Sequence, residues 1–406
     1  MSKFELLAPA GDAIKLKTAI NFGADAVYFA GKKWGLRAFS DNFEKDELVE
    51  NIQYAHAAGK KAYITVNIQA HNSDFEGLSE YLVSLEKAEA DAIIVSDAGI
   101  LSLAREVVPG LPVHISTQAS ASNKYAVKFW ADAGASRVIL ARELSIDEIA
   151  EIHAYVPKVE LEAFVHGAMC ISYSGRCLLS NYLVGRDSNR GACAQCCRWE
   201  YTITEKSRGG EQYEIQQDER GTYILNSKDL CLIEHLDKLA GAGVVSFKIE
   251  GRMKSEYYVA NVVNTYRRAI DLLEKGAKKF KPDKDWVKEL AKCSHRNFTT
   301  GFILGASDKE NLESSLPIAT SEFMAVVLEG RNREGFVLIE QRNRFEVGDK
   351  LEVLSPNSAH NKTIKVGKMK TEKGDEVLDA LLVQQRILLK TKLDLRPMDI
   401  LRKKLV

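Results

Sequence analysis

No run of apolar residues in this chain approaches the ~20 that a membrane-spanning helix needs. The N-terminal MSKFELLAPAGD lacks the basic and long apolar parts of a secretory signal. These two absences point to a cytoplasmic protein with no membrane partner. No glycine-rich dinucleotide or phosphate loop follows any apolar run. There is no HExxH zinc helix and no GxSxG elbow, so the usual metallo- and serine-hydrolase machinery is missing. Low-complexity tracts are absent too. Cysteine is scarce over most of the chain, and outside residues 170–231 there is one, Cys293.

What is there begins with the other six cysteines. Cys170, Cys177, Cys193, Cys196, Cys197 and Cys231 fall within 62 of the 406 residues. In a reducing compartment clustered thiols bind metal more often than they form disulfides, and an odd total of seven argues the same way. Hydrophobic residues make up 45%, ample for a core, and the length calls for one large domain plus a smaller one. Basic and acidic residues balance at 56 each, but residues 321–406 carry 17 basic against 13 acidic side chains. Lys362, Lys365, Lys368 and Lys370 follow one another with no acid between them, and Arg402, Lys403 and Lys404 lie at the end. Such runs neutralise phosphates or form a solvated face.

Eight short apolar runs recur through the first 250 residues: FELLA, DAVYFA, AYITV, AIIVS, PVHIS, RVILA, VELEAFV and VVSFKI. Between them apolar residues keep helical spacing, as in Leu48, Ile52 and Ala55, or in Ile146, Ile149 and Ile152 behind a Ser145–Glu148 capping box. Strand and helix alternating eight times predict a TIM-like (β/α)8 barrel, with a doubly wound sheet as the structural rival. The barrel would span residues 1–280. Its seventh connection, 166–243, is far longer than the rest and holds all six clustered cysteines, with the alternating WEYTITEK and EQYEIQQ predicting a small β excursion over the mouth. The spacing of Tyr258, Val262, Tyr266 and Ile270 predicts a long amphipathic helix after the eighth strand. Residues 281–319 would connect to a small all-β barrel over 320–406.

In a parallel barrel the chemistry lies at the carboxyl ends of the strands. Asp12 and Asp97 stand there as helix N-caps. Arg142, His166 and Arg252 have no such structural role to account for them. For the cysteines three kinds of centre compete. Structural zinc prefers close ligand pairs, yet only Cys193 and Cys196 have a two-residue gap, and successive intervals along Cys170, Cys177, Cys193 and Cys231 are 7, 16 and 38 residues. An iron-sulfur cluster accepts thiolates from separate loops. Buried unligated thiols are the bland reading, and His166 four residues before Cys170 raises a nucleophilic cysteine as a further one.

The segment ELEAFVHGAMCISYSGRCLLS, residues 160–180, resembles the signature of the collagenase-like U-type peptidase family, with Glu162, Phe164, Gly167, Cys170, Gly175, Cys177 and Ser180 matching in order. ELLAPAGD, NRGACAQCCRWEY, NSKDLC, KIEGRMKS and HRNFTTGF match as well, and the C-terminal part resembles the family's appended domain and the second domain of translation factors. The family name implies a metal- or cysteine-dependent peptidase acting on collagen-like proteins. Related members instead imply oxygen-independent hydroxylation with a 4Fe-4S cluster, one group acting on the wobble uridine of tRNA with prephenate, others on rRNA or ubiquinone precursors.

By that resemblance the metal ligands are Cys170, Cys177, Cys193 and Cys231, with Cys197 as an alternative to Cys193. The partner is tRNA or rRNA, and a paralogous subunit is a second expected partner. A noncatalytic RNA-binding protein with a structural cluster is the third reading. Glu162, His166, Arg142 and Arg252 are the candidate catalytic residues, with His166 as proton donor or acceptor. The forked guanidinium groups of Arg142 and Arg252, then Arg176, suit the two carboxylates of prephenate, and Lys248 joins Arg176 as a cofactor-binding candidate. Arg142 and Arg252 alternatively form salt bridges with Glu143, Glu162 or Glu250. Tyr173, Tyr182 and Trp199 either stack on a base or form the insertion's own small core.

Overall fold

The computed structural model describes residues 3–36, 42–170, 172–199, 217–218, 221–222, 228–276, 280–305 and 317–405. All eight apolar runs are strands: β1 Glu5–Pro9, β2 Ala26–Phe29, β3 Lys61–Val66, β4 Ala92–Val95, β5 Val113–Ile115, β6 Arg137–Ile139, β7 Glu160–Ala168 and β8 Val244–Ile249. Each runs parallel to the next, and β8 pairs with both β7 and β1, so the sheet closes into a ring. Helices fill the crossovers that parallel pairing requires. Their starts are capped as the sequence implies: the Asp12 carboxylate accepts from the Lys15 amide at 2.8 Å, Asp97 accepts from the Gly99 and Ile100 amides, and Ser145 and Glu148 cap reciprocally. These rim acids are therefore spent on helices.

The barrel interior is not wholly apolar. Glu5, Tyr63, Arg137, Glu162, Ser246 and Lys248 form a buried polar layer, in which Arg137 bridges Glu5 and Glu162 and Lys248 Nζ donates to Glu162 Oε1 at 2.9 Å. Tyr63 Oη and Ser246 Oγ donate to the two Glu5 oxygens at 2.6 and 2.9 Å. Each buried charge is thus paired and hydrogen-bonded, the condition under which charges are tolerated in a core.

Outside the ring the helix Glu256–Glu274 starts at the Ser255 cap and buries Tyr258, Val262, Tyr266 and Ile270. The long seventh connection returns to the barrel through a short strand, Asp229–Cys231, antiparallel to β7. Residues Phe298–Thr299 of the expected connecting segment pair with that strand, and Arg296 binds Asp229 at 2.7 Å, so this segment extends the sheet beyond β7. The predicted β excursion of WEYTITEK and EQYEIQQ lies almost wholly outside the described residues, apart from a two-residue pairing of Gln217–Asp218 with Gly221–Thr222. Among the described residues no helix is long and apolar enough to cross a membrane.

The C-terminal part is an eight-stranded antiparallel sheet curled around its own core of Val327, Ile339, Leu351, Val353, Ile387 and Leu389. The run expected to begin a strand at residue 380 does so only at Arg386, and Leu381, Leu382 and Val383 form an exposed turn before it. Part of the basic run is consumed inside the fold. Arg402 is fully buried, held by Glu289, Glu352, Asn261 and Asn361, and so joins this sheet to the barrel's helices. Lys403 pairs with Asp349 and Lys368 with Glu376.

His360 sits at the same junction. Its Nδ1 accepts from Asn264 Nδ2 at 3.4 Å and lies 3.5 Å from the Ser355 amide, which requires that nitrogen to be unprotonated. Burial, then the Arg268 guanidinium, lowers its pKa to about 4. An unfolded imidazole takes up its proton near 6.5. Stability should therefore fall as pH drops from about 6.5 toward 4, by up to ~1.4 kcal/mol per pH unit from this group. His360→Asn is expected to flatten that dependence in urea unfolding measured at pH 7, 6 and 5; an unchanged slope would show that His360 is already protonated in the fold.

Candidate functional site

The barrel mouth holds a narrow polar cavity of about 60 Å³ lined by Tyr28, Thr65, Asn67, Ser116, Thr117 and Gln118 on one side and by Arg142, Phe164, Lys248, Glu250 and Arg252 on the other. Strand ends supply every wall, as the barrel architecture requires.

Three cations give it its character. Arg142 follows β6; its guanidinium lies 4.0 Å from the Phe164 ring centroid, donates to the Ala168 carbonyl at 2.8 Å and faces Glu250 at 3.6 Å, while its buried Nε has no partner. Lys248 on β8 is held between Glu162 and the Tyr28 ring, 4.4 Å from that ring's centroid. Burial pulls its ammonium below the usual amine range, with Glu162 opposing. Arg252 is buried and its fork is engaged by the Leu36 carbonyl at 2.9 Å, the Asn42 side chain and Thr65. Of the two guanidinium groups expected to clasp a dicarboxylate, Arg142 keeps donor capacity facing the cavity. Arg252 is largely committed to tying the loop after β2 to β3.

The insertion is seated over this mouth by specific contacts. Gly175 has φ +77°, and a Cβ there would lie 2.6 Å from the Gln118 carbonyl oxygen. Ser120 Oγ donates to the Ser174 carbonyl at 2.9 Å. Beyond β3, two strands away round the ring, Arg190 forks onto both oxygens of Asp74 at 2.6 and 2.8 Å and donates to the Gln69 carbonyl, while the Gln69 amide donates to Asn189. The Arg190 guanidinium, hydrogen-bonded to Asp74, lowers that carboxylate's pKa to about 2. Neither Asp74 nor Arg190 was picked out by the sequence reading. They lie 116 residues apart, and nothing in the local pattern of either announces the other.

Seating the insertion gathers three of the four expected ligands. Cys170 keeps exposed surface, yet the atoms packed around its sulfur raise its pKa, with Cys177 and Cys193 close enough to raise it further and Arg142 close enough to oppose them. Cys196 is buried. Cys231 stands apart: it lies opposite His166 in the antiparallel pairing, its sulfur is 4.0 Å from Tyr266 Oη, and burial pushes its thiol up to about 12. Among the described residues no three His, Cys, Asp or Glu side chains stand in metal-binding geometry. Thiols are the soft donors that an iron-sulfur centre takes.

Two catalytic expectations are corrected. Lys248 pairs with Phe164 but Ile249 pairs with His166, so β7 carries an extra residue, Val165, at its end. A bulge re-aims the side chains beyond it. His166, which even spacing from Glu162 and Phe164 would point into the barrel, instead packs against Tyr258, Tyr266 and Phe298 on the outside. Burial lowers its pKa to about 3, so it is neutral and remote from both the cavity and the thiols at the mouth. A nucleophilic Cys170–His166 pair is thereby excluded, as the raised thiol pKa also indicates. Glu162 is fully buried below the cavity and ion-paired to Arg137 and Lys248, a structural and positioning place rather than a reactive one. Arg176 lies exposed on the cysteine loop and does not line the cavity. Tyr173, Tyr182 and Trp199 are exposed, so they do not form a core among the described residues.

The model of Peptidase family U32 matches residues 11–313, and that of the Peptidase family U32 C-terminal domain matches residues 319–402. The chain is 42% identical over 405 residues to "tRNA hydroxylation protein P1" of Bacillus subtilis, covering 99% of this chain and 95% of the relative. It is 38% identical over 417 residues to "tRNA hydroxylation protein P" of Escherichia coli, covering 92% and 91%. A 23S rRNA 5-hydroxycytidine synthase of Escherichia coli is 37% identical over 307 residues, covering 74% of this chain and 45% of that protein.

The turn that launches the insertion gives a direct test. Gly167 has φ +108°, and a Cβ there would lie 2.5 Å from the Glu250 carbonyl oxygen, whereas Gly185 has φ +67° with open space around it. Gly185→Ala should cost about 1 kcal/mol from left-handed strain alone, and Gly167→Ala about 3 kcal/mol or more because backbone must also move. Urea midpoints of the two variants measure the difference; equal shifts would contradict the close approach.

Proposed function

The chain belongs to peptidase family U32, and from that membership, from its full-length similarity to RNA-hydroxylating relatives and from its cationic barrel mouth we propose that it is an RNA hydroxylase. The finer reading is hydroxylation of the tRNA wobble uridine to 5-hydroxyuridine without molecular oxygen, with prephenate as the oxygen donor. One observation carries it above the others: the cysteine loop rests on Gln118, a wall of the same cavity that Arg142 and Lys248 make cationic. A thiol-rich centre and a small-anion pocket are thereby adjacent, which a peptidase has no evident use for.

In this reading Arg142 binds a carboxylate of the donor through the nitrogens that face the cavity, with Glu250 as the group a ligand displaces. Lys248, fixed by Glu162 and by the Tyr28 ring, adds a second positive charge. Asn67, Thr117 and Gln118 supply neutral hydrogen bonds for orientation. By the family resemblance Cys170, Cys177, Cys193 and Cys231 would hold a 4Fe-4S cluster. The third ligand is Cys193, close enough to Cys170 to raise its pKa, or Cys197. Such a cluster supplies one-electron transfer. The target base has to leave its stack to reach the mouth.

Mass spectrometry of nucleosides from total tRNA and rRNA tests this. A strain lacking the protein should lose 5-hydroxyuridine from tRNA; the wild-type chain should restore it and Cys170→Ala should not. Anaerobically purified Cys170→Ala should also lose the brown colour and most of the bound iron. Unchanged nucleosides in both RNA pools would refute the proposal.

A further inference from the structure

The described part of the insertion departs from the rest of the body in charge and in what it exposes. Residues 170–199 hold four arginines, at 176, 186, 190 and 198, against a single acid, Asp187, whereas residues 1–320 as a whole carry 39 basic and 43 acidic side chains. On the same segment Tyr182 is 87% exposed, Tyr173 48% and Trp199 42%. A ring as open as that of Tyr182 contributes almost no burial to the fold, so stability does not account for it.

The placement of these rings is fixed from below. Tyr173 belongs to the turn in which the Arg176 amide donates to its carbonyl at 3.1 Å, and Gly175 of that turn abuts Gln118 in the cavity wall. Tyr182 rides on the helix Leu179–Val184, which Ser180 ties down by accepting from the Ala194 amide at 2.9 Å. The cavity beneath is a narrow pit walled by the barrel's own side chains, with no room for the nucleotides on either side of a target. Whatever nucleotides accompany a target must therefore be held outside it, on the rim.

Resting on the RNA reading above, we propose that Tyr173, Tyr182 and Trp199 form a stacking platform for unpaired bases flanking the target nucleotide, with Arg176 on the adjoining phosphates. Exposed aromatic faces combined with local positive charge are what a single strand requires, because every base offers a π face and every step carries a negative charge. The platform reads strandedness rather than sequence. Duplex RNA, whose bases are already stacked, does not engage it.

The test uses the full, anaerobically prepared protein and a fluorescent RNA stem–loop with an unpaired loop, alongside the same stem closed as a duplex. Wild type should bind the loop more tightly than the duplex. Tyr182→Ala and Tyr173→Ala should each weaken loop binding roughly tenfold, leave duplex binding and the melting temperature unchanged, and be rescued by Phe at the same position. Equal binding by wild type and both alanine variants overturns the platform, as does wild-type preference for the duplex. If light scattering shows wild type to be a dimer that Tyr182→Ala splits, the rings belong to a subunit interface and the proposal falls. The nucleoside assay separates this from the broader reading: intact hydroxylation with unaltered loop binding by the variants removes the platform alone, whereas no hydroxylation by wild type removes the RNA reading itself.

Discussion

The site depends on how the chain leaves the seventh strand and is then held down. The bulge at Val165 and the close approach of Gly167 to the Glu250 carbonyl turn the backbone over the open end of the ring. Gly175 on Gln118 and Arg190 on Asp74 then anchor the insertion at two separated points of the rim. A long connection ordinarily carries high conformational entropy, and two fixed anchors limit the arrangements its thiols can sample. With the insertion so seated, Cys177, Cys193 and Arg142 all come within electrostatic range of Cys170.

Beneath the mouth the charged layer of the barrel interior governs what the cavity can bind. Glu162 is shared between Arg137 and Lys248, and Arg137 also reaches Glu5 and Glu160. Taking one member away would leave an unpaired charge in a dry interior, a loss of about 3–5 kcal/mol. The layer thus holds Lys248 at the cavity floor in one orientation. Its charge, together with that of Arg142, makes the pocket cationic, which is what the proposed binding of a small anionic donor requires.

Much of the architecture was readable in the chain because it rests on local rules. Short apolar runs bounded by turns marked all eight strands, and the Asp12, Asp97 and Ser145 caps are short-range hydrogen bonds. The rim positions of Arg142 and Arg252 followed from strand ends. His166 was misplaced because a single-residue bulge inverts which face a side chain takes, and sequence periodicity carries no sign of it. Glu162 looked reactive from its motif, and only the register with β8 shows it paired in the interior. Arg402 read as part of a run that neutralises phosphates or forms a solvated face, but it serves as a buried tie between the two parts of the molecule, a role set by distant Glu289 and Asn261. Gly167 and Gly175 were in the matched motif, and their close approaches supply the physical reason for glycine there.

The central claim is that seating the insertion on the rim makes the site competent, and an exchange of the Asp74–Arg190 charges tests it most directly. Formation of hydroxylated nucleoside per folded protein would be measured for Arg190→Asp, for Asp74→Arg and for the double exchange. The account predicts that each single change sharply reduces product and that the exchange restores a substantial part of it. Single variants that hydroxylate RNA as well as wild type would contradict it.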